Sequence, residues 1–311
     1  MLTWLPSAAE ITDHHQHLFS PDAAAHAGIE PQGVTAKDLI AHLDSAGIAR
    51  AVVLSVAYSF ANPHKQLFED EHARVKREND WTSAQVSQYP DRLLGFCSVN
   101  PLKDHALAEI DRCAQDPNLS AGLKLHFGNS DVALENPEHL MQLRRVFRAA
   151  NRNRMALAVH ARSTISRNRP YGERQARLLI EQLLPEAPDV PVQIAHLAGS
   201  GGYDDRAMDE ALAVYIEHIE AEDPRLKNVY FDISGVAGLG EWTPDKAVRV
   251  VDRMRLLGLT RLLYGSDGAV PGNFPTETYQ RWRQLPLTED EFRLIENNPA
   301  PYLRYRRESA Q

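Results

Sequence analysis

The chain has 311 residues, of which 43% are hydrophobic and 24% are charged, a composition typical of a soluble globular protein. Its formal net charge of −8, without a basic stripe, argues against general nucleic-acid binding. No apolar run reaches membrane-spanning length and the first residues lack a signal-peptide pattern, so we expect a cytoplasmic protein. Cys97 and Cys113 do not form a CxxC motif, and we expect them to be reduced and buried.

Eight strand-like apolar runs recur along the chain. They cover residues 11–18, 51–57, 93–99, 121–127, 155–161, 190–197, 228–234 and 261–266. Several of them are apolar at consecutive positions, which is typical of strands that a parallel sheet buries on both faces.

Helical patterns fill the intervals between these runs. Apolar stripes at helical spacing predict helices over residues 35–46, 137–150, 173–184, 206–219 and 243–257. Eight strand–helix units predict an α/β fold, a (β/α)₈ TIM barrel, as a single domain over residues 1–311. A doubly wound open sheet is the competing fold, which the absence of a glycine-rich motif after the first strand disfavours.

The interval after the second strand is longer than the others. We interpret residues 60–90 as an insert at this place. Residues 71–80 within it are densely charged, which is typical of a solvated helix face.

The first strand contains a run of three histidines, in the segment Asp13-His14-His15-Gln16-His17. Because side chains alternate along a strand, His15 and His17 should point the same way, with His14 and Gln16 on the opposite face. Two imidazoles on one rigid strand provide half of a metal site. Taken alone, the run fits a solvated polar patch equally well.

Polar side chains also end four later strands. Lys124 and His126 end the fourth strand, His160 the fifth, His196 the sixth and Asp267 the eighth. In a (β/α)₈ barrel the chemistry lies at these ends, so we expect the side chains to meet. Three neutral imidazoles and one carboxylate suit Zn²⁺, which activates a bound water near neutral pH. Each residue alone is explained more simply by a buried, hydrogen-bonded histidine or a turn aspartate.

In this combination the chain resembles the amidohydrolase superfamily, and within it the Amidohydrolase-2 type, over nearly its whole length. The resemblance rests on Asp13-x-His15-x-His17, Gly122-Leu-Lys124-Leu-His126, His160, Ala195-His196, Gly265-Ser-Asp267 and the late segment Asn298-Pro-Ala-Pro-Tyr-Leu303. It implies four metal ligands, namely His15, His17, His160 and Asp267. It also implies that His196 either binds a second metal ion or acts as a catalytic group.

Lys124 has two interpretations under this resemblance. A carboxylated lysine on this strand bridges two metal ions in some members, whereas an unmodified lysine would bind an anionic group of the substrate. We favour a single divalent ion, Zn²⁺ being the best suited, and two ions if Lys124 is carboxylated. Asp267, His196 and Lys124 are the predicted catalytic residues.

Three further residues are predicted to contact the substrate: His126, Arg162 and Tyr203. Arg162 follows the fifth strand two positions after His160, and an arginine facing the pocket would select a carboxylate-bearing substrate. Arg167 and Arg169 lie on the same loop and are more simply solvent-exposed.

These residues predict a metal-dependent hydrolase that opens an ester, lactone or amide bond in a small anionic organic acid. Metal-activated water attacks the carbonyl, Asp267 transfers the proton, and His196 or Lys124 stabilises the oxyanion. The same ligands fit the alternative, a non-oxidative decarboxylase of an aromatic or unsaturated carboxylic acid. A binding protein that keeps the metal without catalysis is a third hypothesis. The only predicted partner is a small molecule, with no nucleic acid and no membrane, and the sequence leaves both a monomer and a homo-oligomer open.

Overall fold

Eight parallel strands, each hydrogen-bonded to the next in chain order, form the barrel that the sequence predicts. A computed structural model describes residues 10–29, 33–162, 169–199, 206–236, 243–268 and 273–304. The strands are β1 Thr12–Gln16, β2 Arg50–Leu54, β3 Leu93–Ser98, β4 Gly122–His126, β5 Ala156–His160, β6 Val192–Ile194, β7 Val229–Asp232 and β8 Leu262–Leu263.

Backbone hydrogen bonds bring the last strand back to the first. The N–H of His14 donates to the carbonyl of Tyr264 at 2.8 Å, and the N–H of Asp267 donates to the carbonyl of His15 at 2.9 Å. The predicted (β/α)₈ barrel is therefore confirmed, and the strand ends of β1 and β8 lie side by side.

Ten α-helices in the described residues surround the strands. They are α1 Pro21–Ala27, α2 Ala36–Ala46, α3 Glu71–Val86, α4 Ala106–Cys113, α5 Pro137–Arg152, α6 Glu173–Leu178, α7 Arg206–Glu220, α8 Pro244–Leu257, α9 Pro275–Trp282 and α10 Glu289–Glu296. Local signals set where several of them begin. Thr243, for example, caps α8 by accepting from the N–H of Lys246 at 3.3 Å, and Pro244 occupies the first helical position.

Most of the predicted insert, residues 60–90, is the ordinary helix of the second strand–helix unit. A short turn at Ala57–Ala61 follows β2, and α3 then packs against β3. The charged stretch 71–80 is largely solvated, but Glu78 is only 2% exposed and contacts Ser20. The expectation of a solvated helix face is therefore wrong at Glu78.

Apolar side chains fill the part of the barrel interior that lies below the strand ends. The set comprises Val52, Leu54, Leu94, Phe96, Ala156, Ala158, Leu263, Ala300 and Tyr302. A Cβ atom on Gly122 would overlap the ring of Phe96, so only glycine allows that ring to occupy the interior. This apolar plug leaves the C-terminal end of the barrel as the place for polar chemistry.

The two cysteines form a disulfide, which corrects the expectation that they are reduced. Cys97 lies on β3 and Cys113 at the end of α4, with a sulfur–sulfur distance of 2.04 Å. Both are fully buried, as expected. Among the described residues, every helix is too short or too polar to cross a lipid bilayer.

Candidate functional site

The side chains predicted from the strand ends meet at one end of the barrel. His15 lies on β1, His17 directly follows this strand, and Asp267 lies in the segment after β8. The Nε2 atoms of His15 and His17 lie 3.2 Å apart, and Oδ1 of Asp267 lies 3.4 Å from the first and 3.7 Å from the second. These three atoms form one of the compact groups in the described residues with ligand chemistry for a metal ion.

Hydrogen bonds at the other nitrogens determine what these two rings present to the site. Nδ1 of His15 lies 2.9 Å from Oδ2 of Asp232, and Nδ1 of His17 lies 2.7 Å from the carbonyl of Leu54. Both partners are acceptors, so Nδ1 must hold the proton and Nε2 is a bare lone pair in each neutral ring. Two lone pairs directed at each other and at a carboxylate fit a bound cation.

Asp13, the first residue of the β1 motif, anchors the strand and lies outside this group. Its oxygens accept from the N–H and hydroxyl of Ser266 at 3.1 and 2.6 Å and from the amide of Gln16 at 2.8 Å. Burial raises the pKa of Asp13 to about 6, although these hydrogen bonds act in the opposite direction. The carboxylate therefore ties β1 to the segment after β8.

Side chains along β1 do not alternate strictly, so the predicted common face of His14 and Gln16 is wrong. The pairing with β2 shifts between Asp13 and Gln16, where β1 has one extra residue. Gln16 consequently bonds to Asp13, and His14 bonds to Tyr302 of the interior plug, instead of both lying on one opposite face. The expectation that His15 and His17 point the same way is met.

Lys124 lies inside the same cluster. Its side chain is fully buried and its Nζ is 3.1 Å from Nε2 of His15. Burial lowers the pKa of the Lys124 amine to about 8, against the opposing influence of Asp232 and Asp267. A lysine at this place can offer hydrogen bonds to an anion bound beside His15.

His126 and His160 face each other because they are register partners on β4 and β5. Their rings stack with centroids 3.9 Å apart. Nδ1 of His126 accepts from the N–H of Asn129 at 3.1 Å, which leaves the proton on Nε2. Burial holds the pKa of both rings well below the usual value, with neighbouring basic groups adding to the effect, so both are neutral.

His160 lies next to the compact group but does not belong to it in the described residues. Its ring is 4.9 Å from that of His196, which in turn is 4.9 Å from that of His15. The ring of His196 therefore contacts both the ring of His160 and that of His15.

Asp232, at the end of β7, and Ser234, just beyond it, contact the site histidines but were not predicted from the sequence. Asp232 accepts from Nδ1 of His15, and also from the backbone N–H groups of His196 and Ser234, at 2.9, 3.0 and 3.1 Å. The hydroxyl of Ser234 donates to Asp232 at 2.6 Å and lies 2.9 Å from Nδ1 of His196. The available signal was the Asp-x-Ser spacing at a strand end, which parallels Lys124-x-His126.

The pKa of Asp232 shows the electrostatic consequence of these contacts. Burial by itself raises the pKa of this carboxyl, but the electrostatic interaction and hydrogen bond with His15, together with those with His196, hold it well below the usual value. Asp232 is thus an ionised carboxylate that keeps the ring of His15 in one orientation.

Two of the predicted catalytic residues have strained backbones. His196 has φ 54° within a left-handed run, His196–Ala198, and Asp267 has φ 70°. Non-glycine residues in this region cost about 1 kcal/mol each or more, and such strain persists where surrounding contacts hold it. The N–H of His196 donates to Asp232 and the N–H of Asp267 to the carbonyl of His15, which supplies those contacts.

Arg162 is 5% exposed at the mouth of the barrel and its guanidinium lies 4.8 Å from the ring centroid of Tyr171. The hydroxyl of Tyr171 donates to the carbonyl of Ala198, in the strained run. Arg169 pairs with Asp131, so it is only partly solvated. Tyr203 and Arg167 lie outside the described residues.

Comparison with known proteins gives one family and several similar folds. The family model described as Amidohydrolase matches residues 12–300. No protein of curated function matches the chain. Among solved structures, 5-carboxyvanillate decarboxylase LigW from Sphingomonas paucimobilis is 18% identical with a TM-score of 0.65, over 96% of this chain and 99% of that chain.

Two further decarboxylases are similar. The 2,6-dihydroxybenzoate decarboxylase from Rhizobium is 16% identical with a TM-score of 0.63, over 97% of this chain and 99% of that one. The 5-carboxyvanillate decarboxylase from Novosphingobium aromaticivorans, complexed with manganese and 4-hydroxy-3-methoxy-5-nitrobenzoic acid, is 15% identical with a TM-score of 0.61, over 96% of each chain. At these identities the similarity shows a shared fold.

Proposed function

Because the chain belongs to the amidohydrolase family, we propose that it is a metal-dependent decarboxylase of an aromatic or unsaturated carboxylic acid. The observation that supports this most is the position of Lys124, whose Nζ lies 3.1 Å from a bare nitrogen of the candidate metal group. A cation and a buried lysine side by side suit a substrate carboxylate. The decarboxylases of the same fold add support for this reaction over hydrolysis.

His15, His17 and Asp267 would hold one divalent ion, and the resemblance to the Amidohydrolase-2 type implies that His160 completes its ligands. The ion, when bound, supplies a Lewis acid that holds the oxygens of the substrate. Two imidazoles and a carboxylate accommodate Zn²⁺ or Mn²⁺, and manganese is present in the decarboxylase from Novosphingobium aromaticivorans. Zinc therefore stays a prediction.

The chain's own residues would position the acid and move the proton. Lys124 would bind an oxygen of the substrate, and His126 would donate from Nε2, where its hydrogen bond from Asn129 leaves the proton. Asp267, which is 24% exposed, can take a proton from solvent and deliver it to the substrate carbon. A C–H bond forms, the bond to the carboxylate breaks with its electron pair staying on that carbon, and CO₂ leaves.

Hydrolysis of an ester, lactone or amide is the second candidate. It is favoured by His196, whose Nδ1 lies 2.8 Å from the carbonyl of Ser234 and must therefore hold the proton. Nε2 of His196 is then an acceptor, as a base that takes a proton from water requires.

One experiment separates the two reactions. The protein is loaded with Mn²⁺ or Zn²⁺ and incubated with hydroxylated benzoic acids, unsaturated acids, and esters or lactones of similar size. The masses of the products are then measured by mass spectrometry. Loss of the mass of CO₂, with CO₂ trapped in the headspace, supports decarboxylation. Gain of the mass of water supports hydrolysis. Turnover of neither class with metal bound would contradict both candidates.

Two variants test the assigned roles. Lys124→Met keeps the length of the side chain and should raise KM for a carboxylate substrate by about 10- to 150-fold, since one charged hydrogen bond contributes about 1.5–3 kcal/mol. Asp267→Asn should abolish turnover. An unchanged KM in Lys124→Met would contradict the assignment of the substrate carboxylate to this lysine.

A further inference from the structure

Hydrogen bonds connect the late segment 298–303 to the candidate site through the barrel interior. Tyr302 lies in the interior plug with no exposed surface, and its hydroxyl contacts two polar groups. Nδ1 of His14 lies 2.7 Å away and Oε1 of Gln193 lies 2.8 Å away. Gln193 extends the chain of contacts upward, since its Nε2 donates to Oδ2 of Asp232 at 2.7 Å.

The direction of every hydrogen bond in this chain follows from Asp232. An ionised carboxylate only accepts, so Gln193 must turn its NH₂ group towards Asp232 and its carbonyl oxygen towards Tyr302. The Tyr302 hydroxyl has one hydrogen and must donate it to that oxygen. His14 must then donate from Nδ1 to the Tyr302 oxygen. Each hydrogen bond in the chain therefore has one direction, with donors and acceptors following in the order His14, Tyr302, Gln193 and Asp232.

Asp232 ends this chain at the candidate metal group. Its Oδ2 accepts both from Gln193 and from Nδ1 of His15, at 2.7 and 2.9 Å. The position of that oxygen decides where Nε2 of His15 points. A residue that fixes the position of Gln193 therefore also fixes His15, because both bond to the same oxygen of Asp232.

We propose that Tyr302 is a positioning residue for the metal site, acting through Gln193 and Asp232 on His15. Its hydroxyl donates to Oε1 of Gln193, while Nε2 of the same amide donates to Asp232 at 2.7 Å and to the carbonyl of His14 at 3.2 Å. Without it, the buried Oε1 of Gln193 loses this donor, so the amide is held at its Nε2 end alone and supports Asp232, and through it His15, less firmly. This inference rests on the proposed metal site.

Tyr302→Phe is the direct test because it removes the hydroxyl and keeps the ring that packs on Phe96 with centroids 5.2 Å apart. The measurement is the Kd for Mn²⁺ of the full chain stripped of metal, by titration followed with electron paramagnetic resonance. Loss of a partner that supports a metal ligand costs about 10–100-fold in affinity, and we expect about tenfold here. Tyr215→Phe is the matched control, since Tyr215 is equally buried but packs on Phe231 in the helical layer.

A second variant tests the route. Gln193→Met removes the amide at similar size, and it also serves if Tyr302→Phe fails to fold. It should raise the Kd at least as much as Tyr302→Phe does, and adding Tyr302→Phe to it should change the Kd little more, because the hydroxyl acts through the amide.

The outcomes separate this inference from the proposal on which it rests. A wild-type protein that does not bind Mn²⁺ overturns both. A wild type that binds Mn²⁺, with Tyr302→Phe no weaker than Tyr215→Phe, overturns only the role of Tyr302. Equal effects of Tyr302→Phe in the wild type and in Gln193→Met would overturn the route through Gln193. The inference is supported if the Kd rises about tenfold in Tyr302→Phe and stays at the wild-type value in Tyr215→Phe.

Discussion

Nε2 of His15 lies 3.2 Å from Nε2 of His17, and neither nitrogen holds a proton. Such an approach is unfavourable between two neutral rings, because two lone pairs repel each other. The rings are held there by contacts at their opposite nitrogens, to Asp232 and to the carbonyl of Leu54. The fold therefore keeps a pair of ligand atoms together, and a cation relieves the repulsion.

Divalent metal should stabilise the protein for this reason. At a metal concentration a hundred times the Kd, binding to the native state adds about 2.7 kcal/mol to the free energy of unfolding. We expect the Tm of metal-stripped protein to rise when Mn²⁺ or Zn²⁺ is added and to fall again with a chelator. Differential scanning calorimetry measures both changes.

The control is a protein without one ligand of the compact group. His17→Ala should melt at the same temperature with and without added metal. A rise in Tm of the same size in this variant would place the stabilising ion somewhere else on the protein.

Gly265, two residues before Asp267, should be essential for the position of His15. A Cβ atom at this place would lie 2.9 Å from Cβ of His15 and 3.1 Å from Cβ of Ser234. Gly265→Ala must displace one of these residues, at a stability cost of about 1–3 kcal/mol. We expect a loss of metal affinity of about tenfold or more, measured as the Kd for Mn²⁺.

Gly47→Ala is the matched control for this substitution. Gly47 has φ 69° at the end of α2, and an added Cβ would contact nothing within 4 Å. The variant should lose about 1 kcal/mol of stability through backbone strain and keep its affinity for metal. Equal losses of metal affinity in both variants would show that general destabilisation, and not the contact with His15, is the cause.

The strand-end residues were predictable from the sequence because a parallel barrel brings all carboxyl ends of its strands to one face. Period-two alternation sufficed to pair His15 with His17 and Lys124 with His126. It failed at His14 and Gln16, because one extra residue in β1 shifts the pairing with β2. A bulge of this kind leaves no compositional trace in a short polar run.

The supporting contacts could not be predicted in the same way. The partners of His15 come from a strand end more than two hundred residues later, and their identity depends on which ring nitrogen faces which strand. The pairing of Cys97 with Cys113 likewise depends on how closely α4 packs on β3. Sequence spacing alone indicates neither distance.

The Cys97–Cys113 disulfide should contribute to stability. It joins residues 16 positions apart, and cross-linking a loop of about 15 residues stabilises a protein by roughly 3 kcal/mol in the chain-entropy description. Denaturant unfolding with and without reductant should differ by an amount of this order, and thiol counting under denaturing conditions without reductant should find no free cysteine. Cys113→Ser should be insensitive to reductant. Two free thiols in untreated protein would contradict the disulfide in solution.

Glu78 should give the protein a pH-dependent stability that one substitution removes. The carboxyl lies on α3 with 2% exposure and accepts hydrogen bonds from the backbone N–H and the hydroxyl of Ser20. Burial raises its pKa to about 7, and the hydrogen bonds from Ser20 oppose the rise. The native state therefore binds this proton more tightly than the unfolded chain does, so the stabilising contribution is complete below the unfolded pKa of 4.5 and is lost as the pH rises through about 7.

Between pH 5 and pH 8, the wild type should lose about 2 kcal/mol of unfolding free energy from this group alone. Glu78→Gln keeps an acceptor for the Ser20 N–H but does not ionise. Between the same two pH values, the unfolding free energy of this variant should therefore fall by about 2 kcal/mol less than that of the wild type. Urea unfolding at the two pH values measures the difference. Glu69→Gln, at an exposed position before α3, is the control and should follow the wild type. If the unfolding free energies of Glu78→Gln and the wild type change equally between the two pH values, then Glu78 ionises as readily in the folded protein as in the unfolded chain.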